Sequence, residues 1–392
     1  MIKLEVFTFS FERLGIVEKY DSLQYTQQFQ DQGSFQLVCP KTKENIELLQ
    51  SNRFIWLEDE TAGIIQYFEK ERDTDAKITI KGNLMKGILD WRWVYPCFTK
   101  TANPATLMEL LVNNHCINPT DANRKLPSLV IGTDEIITMP SITFQKTGGS
   151  VLEAEQKLSE ANGLGFDIRF NPRNENKLKF VVLKGKDRTQ NNRDGNDPVI
   201  FSRSLNNVVK GDYTYNDGDF KNVALVAGEA IDGSDNENAN RRTYEVYRDA
   251  KVAKGFERRE LFVDARDLQS TYSEDQATKD EEGNDVTESV EKKMTDEEYN
   301  ATLLQRGNEK IGETSIEESY VGDIRTDAKT TFHYGVDYFL GDKVTVIDED
   351  LGIAIDVVVT EMEINVDKTG YIYTPTFGNS IPTMLDKLER KW

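Results

Sequence analysis

Polar and apolar positions alternate most regularly between Tyr334 and Ser380. From Val358 to Val366 the even positions Val358, Thr360, Met362, Ile364 and Val366 predict a buried face, and Glu361, Glu363 and Asn365 a wet one. Asp367-Lys368-Thr369-Gly370 predicts a turn in which Gly370 takes φ > 0 and leads into Tyr371-Ile372-Tyr373. Upstream, Leu340-Gly341-Asp342 predicts a turn that opens a strand from Lys343 to Ile347. Asp348 to Gly352 predicts the polar turn into the next strand. The pattern is that of a small antiparallel, barrel-like sheet.

Residues 1–100 carry the same kind of signal. A turn at Gln30-Asp31-Gln32-Gly33 precedes Ser34 to Val38, and short strands follow at Phe54 to Leu57, Gly63 to Phe68 and Lys77 to Lys81. Strands at this spacing suggest a sandwich or barrel. Leu84 to Trp93 predicts a helical turn. The pattern changes at residue 101. Asn103-Pro104 is a helix start ahead of the apolar stripe Leu107, Met108, Leu110 and Leu111. Ser150 with Glu153 has capping-box spacing ahead of a second helix that stops near Asn162-Gly163. Phe166 to Phe170 and Leu178 to Leu183 predict a hairpin, so residues 101–198 form an α+β module.

From 199 to 230 the pattern returns to β, through Val199 to Ser202, Tyr213 to Tyr215 and Asn222 to Gly228. Residues 231–330 are less regular. They contain a polar breaker at Asp232 to Asn240, a strand candidate at Arg259 to Val263, and an acidic stretch from Ser273 to Lys293. A helix opens at Thr295, with Glu298 three residues on. The acidic stretch is poor in apolar residues and is expected to be a mobile linker. Residues 231–330 are therefore read as an insertion that splits one β domain into 199–230 and 331–380, with 381–392 as a C-terminal tail.

Length and charge narrow the class. A chain of 392 residues exceeds one ordinary core, and 38% hydrophobic residues suit a folded protein. No window reaches the length of an apolar membrane span, and the early strand pattern Met1 to Val6 is not that of a signal peptide. Cys39, Cys97 and Cys116 are few and odd in number, which fits free thiols in a reducing compartment. Of the net charge of −20, residues 201–392 supply −18, with 41 acids against 23 bases. That balance argues against binding nucleic acid by phosphate neutralisation. Acidic faces could instead keep passing DNA from sticking.

Candidate chemistry is thin. His115 lies beside Cys116 near a helix end, where packing or a helix-dipole contact is expected, and His333 is expected at the surface of a strand. Neither has a nucleophile context. Two histidines and three scattered cysteines do not make a zinc site. Asp348-Glu349-Asp350 and Asp232 to Glu237 lack the twelve-residue calcium-loop spacing and are read as solvated turns. No phosphate-binding glycine loop is present, and Gly163-Leu164-Gly165 ends a helix rather than opening one. Trp91, Trp93, Tyr95 and Phe98 could stack sugars, but packing in a core or interface is expected of them first. No catalytic, cofactor or metal residue is assigned.

Four passages carry a family resemblance. The first runs from Gly33-Ser34-Phe35-Gln36-Leu37 through Gly63-Ile64-Ile65 and Ile80-Lys81-Gly82-Asn83-Leu84 to Trp91-Arg92. The second is Gly163 to Phe170 leading to Gly185-Lys186-Asp187-Arg188-Thr189. The third is Phe201-Ser202 with Asn206-Asn207 and then Asn222 to Gly228. The fourth is Gly335-Val336-Asp337-Tyr338-Phe339-Leu340-Gly341-Asp342-Lys343-Val344, closed by Pro375-Thr376-Phe377-Gly378. In this order they resemble the tail-hub (baseplate hub, tail-associated) family of tailed bacteriophages, siphophage type.

The resemblance implies a mainly β, multidomain chain with two tube-type β-barrel domains, 1–100 and 199–230 plus 331–380. The α+β module 101–198 and the inserted outer domain 231–330 would decorate them. It implies a homotrimer in the virion at the distal end of the tail, whose six barrels match the sixfold tube. The partners it implies are the distal tail ring protein, the tape-measure protein and tail fibre or receptor-binding proteins, with DNA passing through unrecognised. Because the chain stops a dozen residues past the barrel, an enzymatic activity would be expected on another chain. Gly335, Asp337, Leu340, Gly341, Asp342, Gly370 and Gly378 become turn residues shaping the second barrel. A virion cell-wall or polysaccharide hydrolase and a carbohydrate-binding receptor module remain the alternative readings.

Overall fold

A computed structural model describes residues 2–69, 76–132, 135–231, 240–279, 285–314, 316–324, 331–368 and 370–378. The tail 381–392, most of the breaker 232–240 and Thr369 lie outside the described residues. The fold is mostly β with a smaller helical share. Its largest sheet joins the two ends of the chain: Ser22–Gln28 pairs antiparallel with Ile353–Asp367, from Leu23 opposite Val366 to Gln28 opposite Glu361. On one side the sheet continues through Ser34–Pro40 and Lys77–Asn83 to Tyr67–Glu69. On the other it runs through Gly370–Gly378 and Glu317–Ile324 to Val208–Asn216.

Among the described residues this path is open and closes no barrel. Residues 1–100 do not form a self-contained sheet either. Leu4–Thr8, Arg13–Val17, Arg53–Glu58 and Thr61–Ile64 make a separate four-stranded sheet, while Ser22–Gln28, Ser34–Pro40, Tyr67–Glu69 and Lys77–Asn83 join the C-terminal strands. The two halves share one core, in which Leu4, Val6, Leu23 and Leu37 pack with Val344, Val359, Met362 and Phe377. Burying apolar side chains from both ends in one core couples their stability.

The strand Ile353–Asp367 departs from simple alternation. Val357 and Val359 are buried in its first half, and Met362, Ile364 and Val366 in its second. A β-bulge between Val359 and Glu361 inserts one residue against the partner strand and flips which side chains face inward. Val358 and Thr360, expected on the buried face, are therefore only half-buried. The first half pairs with Lys343–Asp348 and the second with Ser22–Gln28 and Gly370–Gly378.

The α+β module has its own core, centred on Leu107, Leu111, Leu158, Phe166 and Phe180 and shared with Phe7, Phe54 and Met85. Helix Pro104–Val112 starts as expected, with Asn103 Oδ1 accepting from Ala105 N at 2.9 Å. Helix Val151–Asn162 is capped by Ser150 and ends at Gly163 with φ +63°. The Glu153 carboxylate does not complete a box there; it pairs with Lys157 at 2.7 Å and Lys146 at 3.4 Å. Gly165–Arg169 and Leu178–Leu183 form the hairpin. The helical turn expected from Leu84 is a 3-10 helix, Met85–Trp91.

In the inserted region Val223–Ala230 does not pair with the C-terminal strands. It is the central strand between Arg241–Tyr247 and Glu260–Asp264, packed through Val226, Val246 and Val263 against Tyr299 and Leu303 of helix Asp296–Gly312. That helix has a complete capping box from Thr295 and Glu298. The stretch 273–293, expected as a linker, instead supplies most of an antiparallel pair, Thr271–Lys279 with Asp285–Lys293. Main-chain hydrogen bonds can hold such a ladder without an apolar face.

Candidate functional site

Three of the turn residues singled out in the sequence, Leu340, Gly341 and Asp342, form a buried ionic junction. Gly341 takes φ +87°, and Leu340-Gly341-Asp342 leads into Lys343–Asp348. Asp342 is buried. Its Oδ1 accepts from Lys186 N at 2.7 Å, and its Oδ2 from Arg188 Nε at 2.8 Å and Phe339 N at 3.0 Å. Asp187–Arg188 therefore lies parallel to the start of Lys343–Asp348 and ties the end of the α+β module to the C-terminal sheet. Contact is so close that a Cβ on Gly185 would fall 1.7 Å from the Gly341 carbonyl oxygen.

The other turn residues lie outside this junction. Asp337 Oδ2 accepts from His333 N at 2.7 Å, and Gly335, at φ +82°, donates to Tyr338 O at 3.0 Å. His333 is exposed in this turn, not in a strand, because the chain curls to bury Tyr338 against Phe201 at a centroid distance of 5.3 Å. Gly370 (φ +135°) opens the last strand. Gly378 (φ +84°) ends it, where a Cβ would meet Glu318 O at 2.1 Å.

Gly335, Leu340 and Asp342 line a cavity of about 500 Å³ that also reaches Lys86 and Tyr334. Lys86 is buried, donates to Gln28 O at 2.5 Å and Phe166 O at 3.1 Å, and lies over the Phe166 ring. Burial pushes its ammonium pKa down, against the pull of Asp167 and Asp31. Its only sequence signal was a lysine inside the apolar run Met85 to Leu89. The carboxylates of the turn Asp348-Glu349-Asp350 are taken up by protein donors: Asp348 Oδ1 accepts from Asp350 N and Leu351 N at 3.0 Å each, Glu349 Oε1 from Ser204 N at 3.1 Å and Asp350 Oδ2 from Arg203 Nη1 at 2.5 Å. Among the described residues no group of three His, Cys, Asp or Glu side chains is placed to hold a metal ion, and Asp232 to Glu237 lie outside them.

The aromatic group divides. Phe98 is in the core beside Phe144 and His115, whereas Trp91, Trp93 and Tyr95 are 44%, 59% and 70% exposed and line one groove. His115 is buried in the π-helical turn Asn113–Ile117, and burial, helped by the Arg124 guanidinium, pushes its pKa down to about 4. That depression favours packing as a neutral ring over a charged helix-dipole contact. Cys39 and Cys116 are buried, with burial pushing both thiols up to about 12, and Cys97 is exposed; all three are free. Glu155 is fully buried, neither carboxylate oxygen has a hydrogen-bond partner among the described residues, and burial holds its pKa well above the usual carboxylate value.

An open sheet shared by both chain ends, an α+β module and an inserted sheet-and-helix unit together make a fold known from phage tails. The 43 kDa tail protein of prophage MuSo2 from Shewanella oneidensis aligns with a TM-score of 0.54 at 12% identity, covering 96% of this chain and 98% of that one. A tail protein from Neisseria meningitidis MC58 gives 0.54 at 12% identity, covering 96% of each chain. The prophage tail protein gp18 of Listeria monocytogenes EGD-e gives 0.56 at 12% identity, covering 100% of this chain and 98% of that one. Residues 3–379 match the family described as Siphovirus ReqiPepy6 Gp37-like protein, and the chain belongs to that family. No curated protein matches it.

Proposed function

We propose that this chain is a non-enzymatic structural hub at the distal end of a siphophage tail. It assembles as a homotrimer in which each protomer supplies two tube-type β regions, one from the strands of 1–100 and one from those of 200–216 and 317–378, joined through one sheet and interrupted by the insertion that holds Val223–Ala230. Six such regions meet the sixfold tube and the distal tail ring, while threefold contacts below take the tip components and the end of the tape-measure protein. The observation that carries the reading is the extent of the fold likeness: at least 96% of each of three tail proteins, two of them from prophages, is matched. The sharing of one sheet by Ser22–Gln28 and Ile353–Asp367 supports it, because a fused sheet makes a rigid tube segment.

DNA passes through this hub without being recognised. The acidic balance of 201–392 would supply a lining that repels phosphate. Negative-stain images of the purified chain test the assembly: a threefold ring with a central pore is expected. Compact particles without a pore contradict it.

A further inference from the structure

The groove formed by Trp91, Trp93 and Tyr95 has no part in the reading above. It encloses about 450 Å³, and Arg92, Asn123 and Arg124 complete its walls. Large aromatic side chains that stay exposed at one place on a folded chain mark an interaction surface. Trp91 closes the 3-10 helix Met85–Trp91, and past it Val94 turns into the core between Trp93 and Tyr95, so the last two rings stand two residues apart on the same side.

This surface is held rigid. Trp91 packs edge-on against Phe9 at 5.5 Å between centroids. Val94 N donates to Gly149 O at 2.9 Å, Gly148 N to Val94 O at 3.0 Å, and Val151 N to Arg92 O at 2.8 Å. The carbonyls on the other side are taken by the two arginines. Arg92 donates to Trp91 O at 2.9 Å and to Arg124 O, and Arg124 donates to Tyr95 O and Trp93 O. Both guanidiniums thus serve as braces.

These contacts select the ligand. With the Trp91, Trp93 and Tyr95 carbonyls capped, the segment offers no main-chain acceptors there for an added peptide strand. With both guanidiniums bonded to carbonyls, the groove is not arranged as an anion clamp. A polyproline helix repeats every three residues, about 9 Å, whereas the Trp93 and Tyr95 rings, two residues apart past the 3-10 helix, step by about 7 Å. What remains is a group of aromatic faces whose two indole N–H groups and phenol hydroxyl have no hydrogen-bond partner among the described residues. Apolar faces with polar tips at their edges match the alternating C–H faces and hydroxyl edges of a sugar ring.

We propose that the Trp91–Trp93–Tyr95 groove is a saccharide-binding site for a neutral oligosaccharide, stacked on the indoles and hydrogen-bonded by their N–H groups and the Asn123 carboxamide. The proposal requires the groove to stay open in the assembled chain, so its test runs beside a mass measurement on the same samples.

The full chain is titrated with neutral oligomers of glucose, N-acetylglucosamine and rhamnose, four to six units long, and followed by tryptophan emission and calorimetry. Saturable binding of at least one is expected. Trp93→Ala should weaken it at least tenfold and Trp93→Phe much less, with the melting temperature unchanged because Trp93 packs little. Absence of binding across the panel overturns the proposal, as does binding that survives Trp93→Ala. Binding of a proline-rich peptide in place of sugars, or loss of assembly in Trp93→Ala, assigns the groove to a peptide or to a second copy and likewise overturns it.

Discussion

Arg188 Nε donates to Asp342 Oδ2 at 2.8 Å, with the two side chains 13% and 4% exposed. The pair joins the segment that leaves the α+β module to the turn that opens the C-terminal sheet, across 154 residues of sequence. The same carboxylate also holds the main-chain N–H groups of Lys186 and Phe339. Breaking a buried pair by neutralising one partner leaves the other charge uncompensated, at a cost of about 3–5 kcal/mol. Asp342→Asn should therefore lower stability by that amount in urea unfolding, and adding Arg188→Gln should recover part of the loss. A loss below about 1 kcal/mol for the single variant would show that the junction does not hold the sheet.

Gly341 and Gly335 both take positive φ, yet their surroundings differ. A Cβ at Gly341 would lie 2.3 Å from the Phe29 ring, whereas one at Gly335 meets nothing within 4 Å. Gly335→Ala should cost only the backbone strain, about 1–2 kcal/mol. Gly341→Ala adds the clash, for about 2–5 kcal/mol in all. Equal losses at the two positions in the same unfolding assay would contradict the close approach of the turn to Phe29.

Two buried groups give opposite pH dependences. Glu155 has its pKa raised by burial, so the folded chain keeps that proton to higher pH than the unfolded chain. Its contribution is complete below the ordinary value of 4.5 and is lost as pH rises through the raised value. Glu155→Gln should remove the loss, gaining at least about 1 kcal/mol at pH 8 and little at pH 4. Urea midpoints at the two pH values check this, and an equal effect at both would contradict it.

His115 is lowered from 6.5 to about 4 by burial and by Arg124, so the unfolded chain takes up the proton first as pH falls. Its contribution is complete above 6.5 and is lost between 6.5 and 4, by at most about 3 kcal/mol. His115→Gln should flatten unfolding free energy across that window, whatever its constant packing cost. An unchanged slope would place the histidine in a solvated environment.

What the sequence revealed was local chemistry. Asn103-Pro104, Ser150, Gly163 and the Thr295–Glu298 box marked helix ends because a cap bonds within a few residues of itself. The turn glycines were legible for the same reason, since positive φ is a property of one residue. Long-range pairing was not. Nothing near Ser22–Gln28 says that its partner is Ile353–Asp367, and nothing near Val223–Ala230 says that it leaves the C-terminal strands for the insertion. The bulge at Thr360 hid behind a plausible alternation, because Val357 and Val358 are equally apolar and the register alone decides which is buried. Composition misjudged 273–293 for a related reason: a polar segment can pair through its main chain. At the candidate sites, Asp342 was noticed only as a turn residue, and Lys86, Arg92 and Arg124 went unassigned because their partners are carbonyls, which carry no residue-type signal.

The threefold assembly is tested most directly by the mass of the purified full chain in light scattering coupled to size exclusion. The account predicts a particle of three times the 44.7 kDa chain mass. A stable particle of one or two chain masses at every concentration tested would contradict it.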